Sequence, residues 1–370
     1  MKNKYRIRNY NFKLIIYVIA LTIIGIMAIG SANPSDQKKQ IAGFILGVFV
    51  MIVLSLFDYN FFLKFYWVMY LLNMALLLSV HFFGVSGGGA KRWVIILGVR
   101  FQPSETAKIL LILFFAQFIM KYREKINTLK ILCMMVVLMV PPFILIYKQP
   151  DLSTSIMLLV IFAVLLFIGG ISYKLIISFL AVTLPSIIIF LSIGLQGSSS
   201  LLKDYQKVRI LAWLHPEDYI NAEGYQQANS IMAIGSGQLF GKGLNNNVIT
   251  SVKNGNFISE PQTDFIYAVI GEELGFIGAL AVILLAVLIA LECVRCARRA
   301  KNLSGTLICS GMAALIIVQS FINISVATGI VPITGIPLPF VSAGLTSLVA
   351  LYIGIGFVLN VGLQGSKNGT

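Results

Sequence analysis

The sequence predicts an all-α polytopic membrane protein. It has about ten transmembrane helices, both termini cytoplasmic, and one large external loop between the seventh and eighth helices. Two observations carry that class. The 370 residues are 58% hydrophobic and only 11% charged, whereas a soluble domain is nearer half apolar and a quarter charged. Apolar runs without an ionisable side chain, such as Leu14 to Ala32, recur to the C-terminus, and about 20 such residues cross a bilayer. A third observation, the placement of Lys and Arg, sets the orientation.

Taken in chain order, spans are expected near 14–32, 40–57, 62–82, 104–120, 130–147, 152–169, 173–194, 264–291, 305–328 and 340–363. The first has too long an apolar core for a signal peptide, and no Ala-x-Ala pattern follows it, so it is expected to stay in the mature protein. Sixteen of the 28 Lys and Arg fall on the side of the N-terminal tail. They include Lys2, Lys4, Arg6, Arg8 and Lys13, then Lys121, Arg123, Lys125 and Lys130, and later Arg295, Arg298, Arg299 and Lys301. That side is therefore cytoplasmic, and the loop 195–263 lies outside. The chain 1–370 reads as one membrane domain, without internal repeat or low-complexity tract.

Composition also excludes some partners. The net charge of +14 invites a nucleic-acid reading, but the basic residues sit mainly at membrane borders, where anionic lipid headgroups account for them more simply. No nucleic acid is expected. None of the four cysteines falls in an external loop, so no disulfide is expected. Cys293-Val-Arg-Cys296 has redox or metal spacing but lacks a second pair and a nearby histidine.

Two external segments stand apart, Phe83–Pro103 and the long loop. Within the latter, "DYQKVRILAWLHPEDY" mixes Val208, Ile210, Leu211, Trp213 and Leu214 with charges, as an interfacial helix would. "AIGSGQLFGKGL" is glycine-rich around Lys242 but is no nucleotide loop. Ser236 stands where that motif needs glycine, and Gly243 where it needs Ser or Thr. Two readings stay open: backbone N–H groups approaching a phosphate, or a turn-rich loop packed on the bundle.

Ionisable residues at span ends carry the chemistry. In "RFQPSETAKILLILFF", Pro103 suits the first helical position and Glu105 the positive helix end. Glu105 and Lys108 share a face, and Lys108 lies more than a turn deep, so it faces a polar cavity, is locked to Glu105, or both. "YKQPDLSTS" puts Lys148 and Asp151 at another external helix end, with Asp151 a helix cap or a site residue. Asp264 opens the eighth span, Glu260 precedes it by four residues, and Glu272 and Glu273 lie deeper, needing a structural partner or a function. A carboxylate at the edge of a low-dielectric cavity has a raised pKa, which suits a general base; helix capping is the competing account of Asp264.

Arg100, Glu105, Lys108, Lys148, Asp151, Arg209, Lys242 and Asp264 thus form an outer cluster of both signs. It suits an anionic, lipid-linked substrate, with cations for a diphosphate and a carboxylate for proton transfer. A channel or proton-coupled transporter would want ionisable groups through the whole depth, and other spans hold almost none near their midplane.

The motifs carrying these residues resemble the SEDS family, the RodA, FtsW and SpoVE proteins. The segments are "PQTDFIYAVIGEELGFIG", "GGAKRWVIILGVRFQPSETAK", "KQPDLSTS", "YQKVRI…AIGSGQLFGKGL" and "NISVATGIVPITGIPLPFVSAG", spread from Gly87 to Gly344. The resemblance implies a peptidoglycan glycosyltransferase that polymerises lipid II at the outer face of the bacterial cytoplasmic membrane, for elongation, division or sporulation. It carries the catalytic role onto Asp264 in Thr263-Asp264-Phe265, and cavity roles onto Gln102, Glu105 and Lys108. Lys108, Arg100, Arg209 or Lys242 would offset leaving-group charge, with a divalent cation such as magnesium or manganese as a further candidate. A class B penicillin-binding protein, a transpeptidase, is the implied partner. The alternatives are a lipid II flippase, which would need polar groups lining the cytoplasmic half of the bundle, and a ligase acting on another polyprenyl-diphosphate glycan. Two stretches depart from the family pattern: Ser259-Glu260-Pro261-Gln262, which keeps the glutamate but not the histidine, and Ser342-Ala343-Gly344-Leu345-Thr346.

Overall fold

The computed structural model describes residues 10–87, 90–96, 98–175, 177, 181, 204–215, 218–219, 224–245 and 257–365. Its principal helices are α1 (Phe12–Ala32), α2 (Pro34–Leu56), α3 (Tyr59–Leu63), α4 (Tyr66–Phe83), α5 (Pro103–Lys121) and α6 (Leu129–Lys148). There follow α7 (Leu152–Ile168), α8 (Asp204–Leu214), α9 (Gly224–Ser236), α10 (Ile266–Arg298), α11 (Leu303–Ala327) and α12 (Leu345–Gln364). Eight of them are long and apolar enough to cross a membrane, and α7 is apolar over 17 residues. The span expected at 173–194 lies largely outside the described residues. The interfacial segment forms α8, and Trp213 Nε1 there donates to the Gly329 carbonyl at 3.1 Å.

Two helix starts differ from the sequence expectation. α2 begins at Pro34 rather than near 40, because Asn33 caps it through Ser35 N, Pro34 presets the first turn, and Asp36 complements the positive helix end. The polar run Ser35–Lys39 hides that turn from a hydropathy reading. α12 begins at Leu345 rather than near 340, because Phe340 has φ +64° and the residues after it hydrogen-bond to the segment before α10.

The core is built around α5, α11 and α12, whose apolar windows are 78%, 72% and 72% buried, against 28% for α2, α4 and α6. Phe114, Phe115 and Phe118 of α5 are fully enclosed, while Phe49, Leu71 and Val137 point outward from the peripheral helices. Apolar side chains on that outer surface suit lipid contact. The N-terminus of α1 and the C-terminus of α12 share the end of the bundle remote from Asp264: Asn11 Nδ2 donates to Glu292 Oε2 at 2.9 Å near the end of α10, and Gly365 packs on the Arg299 carbonyl.

The segment 83–103, left unassigned from sequence, contains a small antiparallel sheet of β1 (Val85–Gly87), β2 (Ala90–Ile96) and β3 (Val99–Phe101) in the order β1-β2-β3. Ile95 pairs with Arg100 and Ile96 with Val99 around a Gly98 turn at φ +79°. From β2, Arg92 donates to the carbonyls of Gln149 and Pro150 and so holds the α6–α7 turn against the sheet.

α10 is interrupted at Gly275, where φ is +66° and ψ −163°. Such a break frees backbone groups inside the apolar region, and each must find a partner. The glycine-rich segment supplies them. Lys242 N donates to the Glu272 carbonyl and Gly243 N to that of Glu273, each at 3.0 Å, while Phe276 N reaches the Gln238 carbonyl at 2.8 Å. The loop therefore packs on the bundle, and these amides are not offered to a phosphate. A Cβ at Gly275 would lie 2.3 Å from Gly241 N and 2.7 Å from the Leu239 carbonyl oxygen. Clash and positive φ together predict that Gly275→Ala costs about 3 kcal/mol or more, read as a lowered unfolding midpoint in detergent. An unchanged midpoint would contradict the docking described.

Candidate active site

Asp264 lies in the turn that leads into α10, and its main chain is clamped residue by residue. Ala343 N donates to the Gln262 carbonyl at 2.9 Å, Ser342 Oγ to that of Thr263 at 2.7 Å, and Asn323 Nδ2 to that of Asp264 at 2.9 Å. The clamping segment between α11 and α12 is itself fixed from three helices, α2, α7 and α11. Asn323 Nδ2 also holds the Ile336 carbonyl, Gln319 Nε2 that of Pro337, Ser153 Oγ that of Thr334, and Gln40 Nε2 that of Ser342. Gly335, at φ +71°, lies against the carboxylate: a Cβ there would sit 3.4 Å from Asp264 Oδ2. The side chain is thus aimed by backbone contacts that do not involve its own oxygens.

The carboxyl of Asp264 is pushed up to about 6, chiefly by burial; Arg92 pulls it down, Glu260 pushes it up, Arg209 pulls down and Asp151 pushes up. Among the described residues, these four charged groups act on it. Asp264 nevertheless keeps partial solvent exposure. A partly accessible carboxylate that is mostly ionised at neutral pH, yet far more basic than a free aspartate, can take a proton from a hydroxyl. The competing role as a cap is not seen: the residue before α10 is Phe265, without a side-chain cap bond.

The other expected site residues divide into three groups. Arg209, Glu260 and Asp151 act electrostatically on Asp264, although Asp151 also caps α7 through Thr154 N at 3.1 Å. Lys108 and Lys242 depart from the expected cationic rim, because each is engaged by a buried carboxylate. Lys108 Nζ, 2% exposed, donates to Glu105 Oε1 at 2.8 Å and Gln319 Oε1 at 2.9 Å. Lys242 Nζ donates to Glu272 Oε1 at 2.9 Å. Arg100 and Lys148 are exposed at β3 and at the end of α6, and Gln102 bonds Ser104 Oγ at 3.2 Å. The deep carboxylates now have structural partners, Glu272 in Lys242 and Glu273 in Ser31 Oγ at 2.5 Å.

Sequence reasoning missed Arg92, Gln319, Asn323 and Gln40. Gln319 and Asn323 stand four apart on one face of an apolar helix, a polar pair that the spacing alone could have flagged. Arg92 lay inside a quoted motif, but only strand pairing turns it toward the α6–α7 turn. Among the described residues no group of three His, Cys, Asp or Glu side chains could hold a metal ion.

A clamped carboxylate with two arginines, at one end of a multi-pass helical bundle, defines a membrane protein with an enzyme-like acid–base site. The family model described as "Cell cycle protein", FtsW/RodA/SpoVE, matches residues 9–367, and the chain belongs to that family. It is 33% identical over 355 residues to the peptidoglycan glycosyltransferase MrdB of Escherichia coli K12, covering 94% of this chain and 92% of that one. It is also 33% identical over 374 residues to the probable peptidoglycan glycosyltransferase FtsW of Geobacter metallireducens, covering 97% and 96%. Among solved structures, a chain from work on polymerization and crosslinking by a peptidoglycan synthase complex superposes with a TM-score of 0.78 at 26% identity, covering 95% and 97%. The rod shape determining protein RodA of Thermus thermophilus gives 0.69 at 25%, covering 97% and 98%.

Proposed function

We propose that this protein is a peptidoglycan glycosyltransferase that polymerises lipid II, with Asp264 as general base, in the bacterial cytoplasmic membrane with its Asp264 end outward. The observation that carries the reading is the Asp264 carboxyl itself: raised to about 6, set on a main chain clamped at three successive carbonyls, and acted on electrostatically by Arg92 and Arg209. Relatives bearing the glycosyltransferase name support the reaction class.

The reaction follows from those groups. Asp264 accepts the proton of the 4-hydroxyl of the acceptor's N-acetylglucosamine as that oxygen bonds to the anomeric carbon of the donor's N-acetylmuramic acid. The bond from that carbon to the diphosphate oxygen breaks on the opposite face, so configuration inverts and undecaprenyl diphosphate leaves with the electron pair. Arg92 and Arg209, rather than Lys108 and Lys242, offset the developing charge. Glu260, on the exposed rim, contributes by keeping Asp264 basic. The solved synthase complex supports a class B penicillin-binding protein as partner.

Incubation of the purified protein with labelled lipid II, alone and with its transpeptidase, tests this. Glycan chains longer than the disaccharide are expected. Lipid II that only changes leaflet in vesicles, with no polymer under either condition, would point to a flippase instead.

A further inference from the structure

At the end of the bundle remote from Asp264, the α5–α6 and α10–α11 turns border a cleft of about 1260 Å³. α5 separates the two ends: Glu105 and Lys108 sit near its start and Lys121 at its finish, about 24 and 20 Å further along the helix axis. Five cations line the cleft, Lys121, Arg123, Lys125, Lys130 and Lys301, against one carboxylate, Glu124. Among the described residues none of the five forms an ion pair with a carboxylate; Lys121 Nζ reaches the Tyr66 hydroxyl at 3.4 Å and lies 5.8 Å from the ring centroids of Tyr66 and Tyr122. The other acids at this end are engaged elsewhere. Asp58 accepts from Asn60 and Gln364, and Glu292 from Asn11 and Arg295.

The floor is apolar, with Ile131 and Met134, and the helices α6 and α11 both start at the rim. Their positive ends add to the field of the side chains. Solvated lysines at a membrane border need only charge, and any one would serve as well as another. Convergence on one concave site with an apolar floor asks for more.

We propose that this cleft binds the headgroup of an anionic phospholipid, of the class that carries two phosphodiesters on one glycerol bridge. Two phosphates distribute over five cations spread along the cleft more fully than one, and the apolar floor receives the start of an acyl chain. Basic pockets between transmembrane helices commonly take such headgroups.

The test uses the full chain purified in a mild detergent and compares retention of diphosphatidylglycerol with that of phosphatidylcholine by native mass spectrometry. Selective retention of the former is expected. It should fall about tenfold or more in the Lys125→Gln/Lys301→Gln variant. A second variant, Lys13→Gln/Lys64→Gln, removes the same charge from exposed positions at the same end and should keep wild-type retention. Equal retention of both lipids overturns the proposal, as does an equal loss in the two variants. Displacement by inorganic pyrophosphate as effectively as by the competing lipid assigns the cleft to a soluble anion and overturns the lipid assignment.

Discussion

Asp264→Asn is expected to lower the rate of lipid II polymerisation by about 10²–10⁴-fold, the usual worth of a general base. The substitution keeps size and shape, and the clamps on this segment fall on the carbonyls of residues 262, 263 and 264 rather than on the carboxylate. Folding should therefore survive. Stability even points the other way. The folded carboxyl titrates at about 6 instead of 3.8, so folding disfavours its ionised form. That penalty is absent below about pH 4, grows between about 4 and 6, and is fully present above. Asparagine carries no charge to bury, so the variant should unfold at the same or a higher temperature than wild type at pH 7.5. A variant that is inactive because it unfolds earlier would mark Asp264 as structural.

Lys108→Met is expected to destabilise the protein by about 3–5 kcal/mol, the cost of leaving a buried carboxylate without its cation. Lys108 and Glu105 side chains are each 2% exposed, and Lys108 also anchors Gln319, which in turn holds the Pro337 carbonyl of the clamping segment. Loss of the lysine thus loosens the segment that aims Asp264. The double variant Lys108→Met/Glu105→Gln removes both charges and should recover most of the stability. Unfolding midpoints of the two singles and the double measure that coupling. If the double variant is no more stable than Lys108→Met alone, the pair is not the lock described.

Much of the bundle was legible because lipid imposes a simple rule: long apolar runs become spanning helices, and α1, α5, α6 and α11 fall within a few residues of expectation. The failures share a cause. The first turn of α2 is polar and projects beyond the apolar band. Gly275 breaks a run that hydropathy reads as continuous, and its partners come from residues 238–243, which no local pattern links to it. Asp264 was legible as a carboxylate at an unusual depth. Its environment was not, because Arg92 arrives through strand pairing and Asn323 through a helix 59 residues away in sequence. Lys108 was recognisable as a costly charge and its lock to Glu105 as one of two readings, because the two stand three apart on one helix face; the Lys242–Glu272 pair was not, because its members are 30 residues apart and meet only where the glycine-rich segment docks.

The most direct measurement is the pH dependence of kcat/KM for lipid II polymerisation by the wild-type protein. With Asp264 accepting the proton, the rate rises about tenfold per pH unit up to about pH 6 and levels above it, and the residual rate of Asp264→Asn lacks that limb. A wild-type rate that stays constant from about pH 4.5 to pH 8, or a limb that persists in Asp264→Asn, would contradict the assignment of the base.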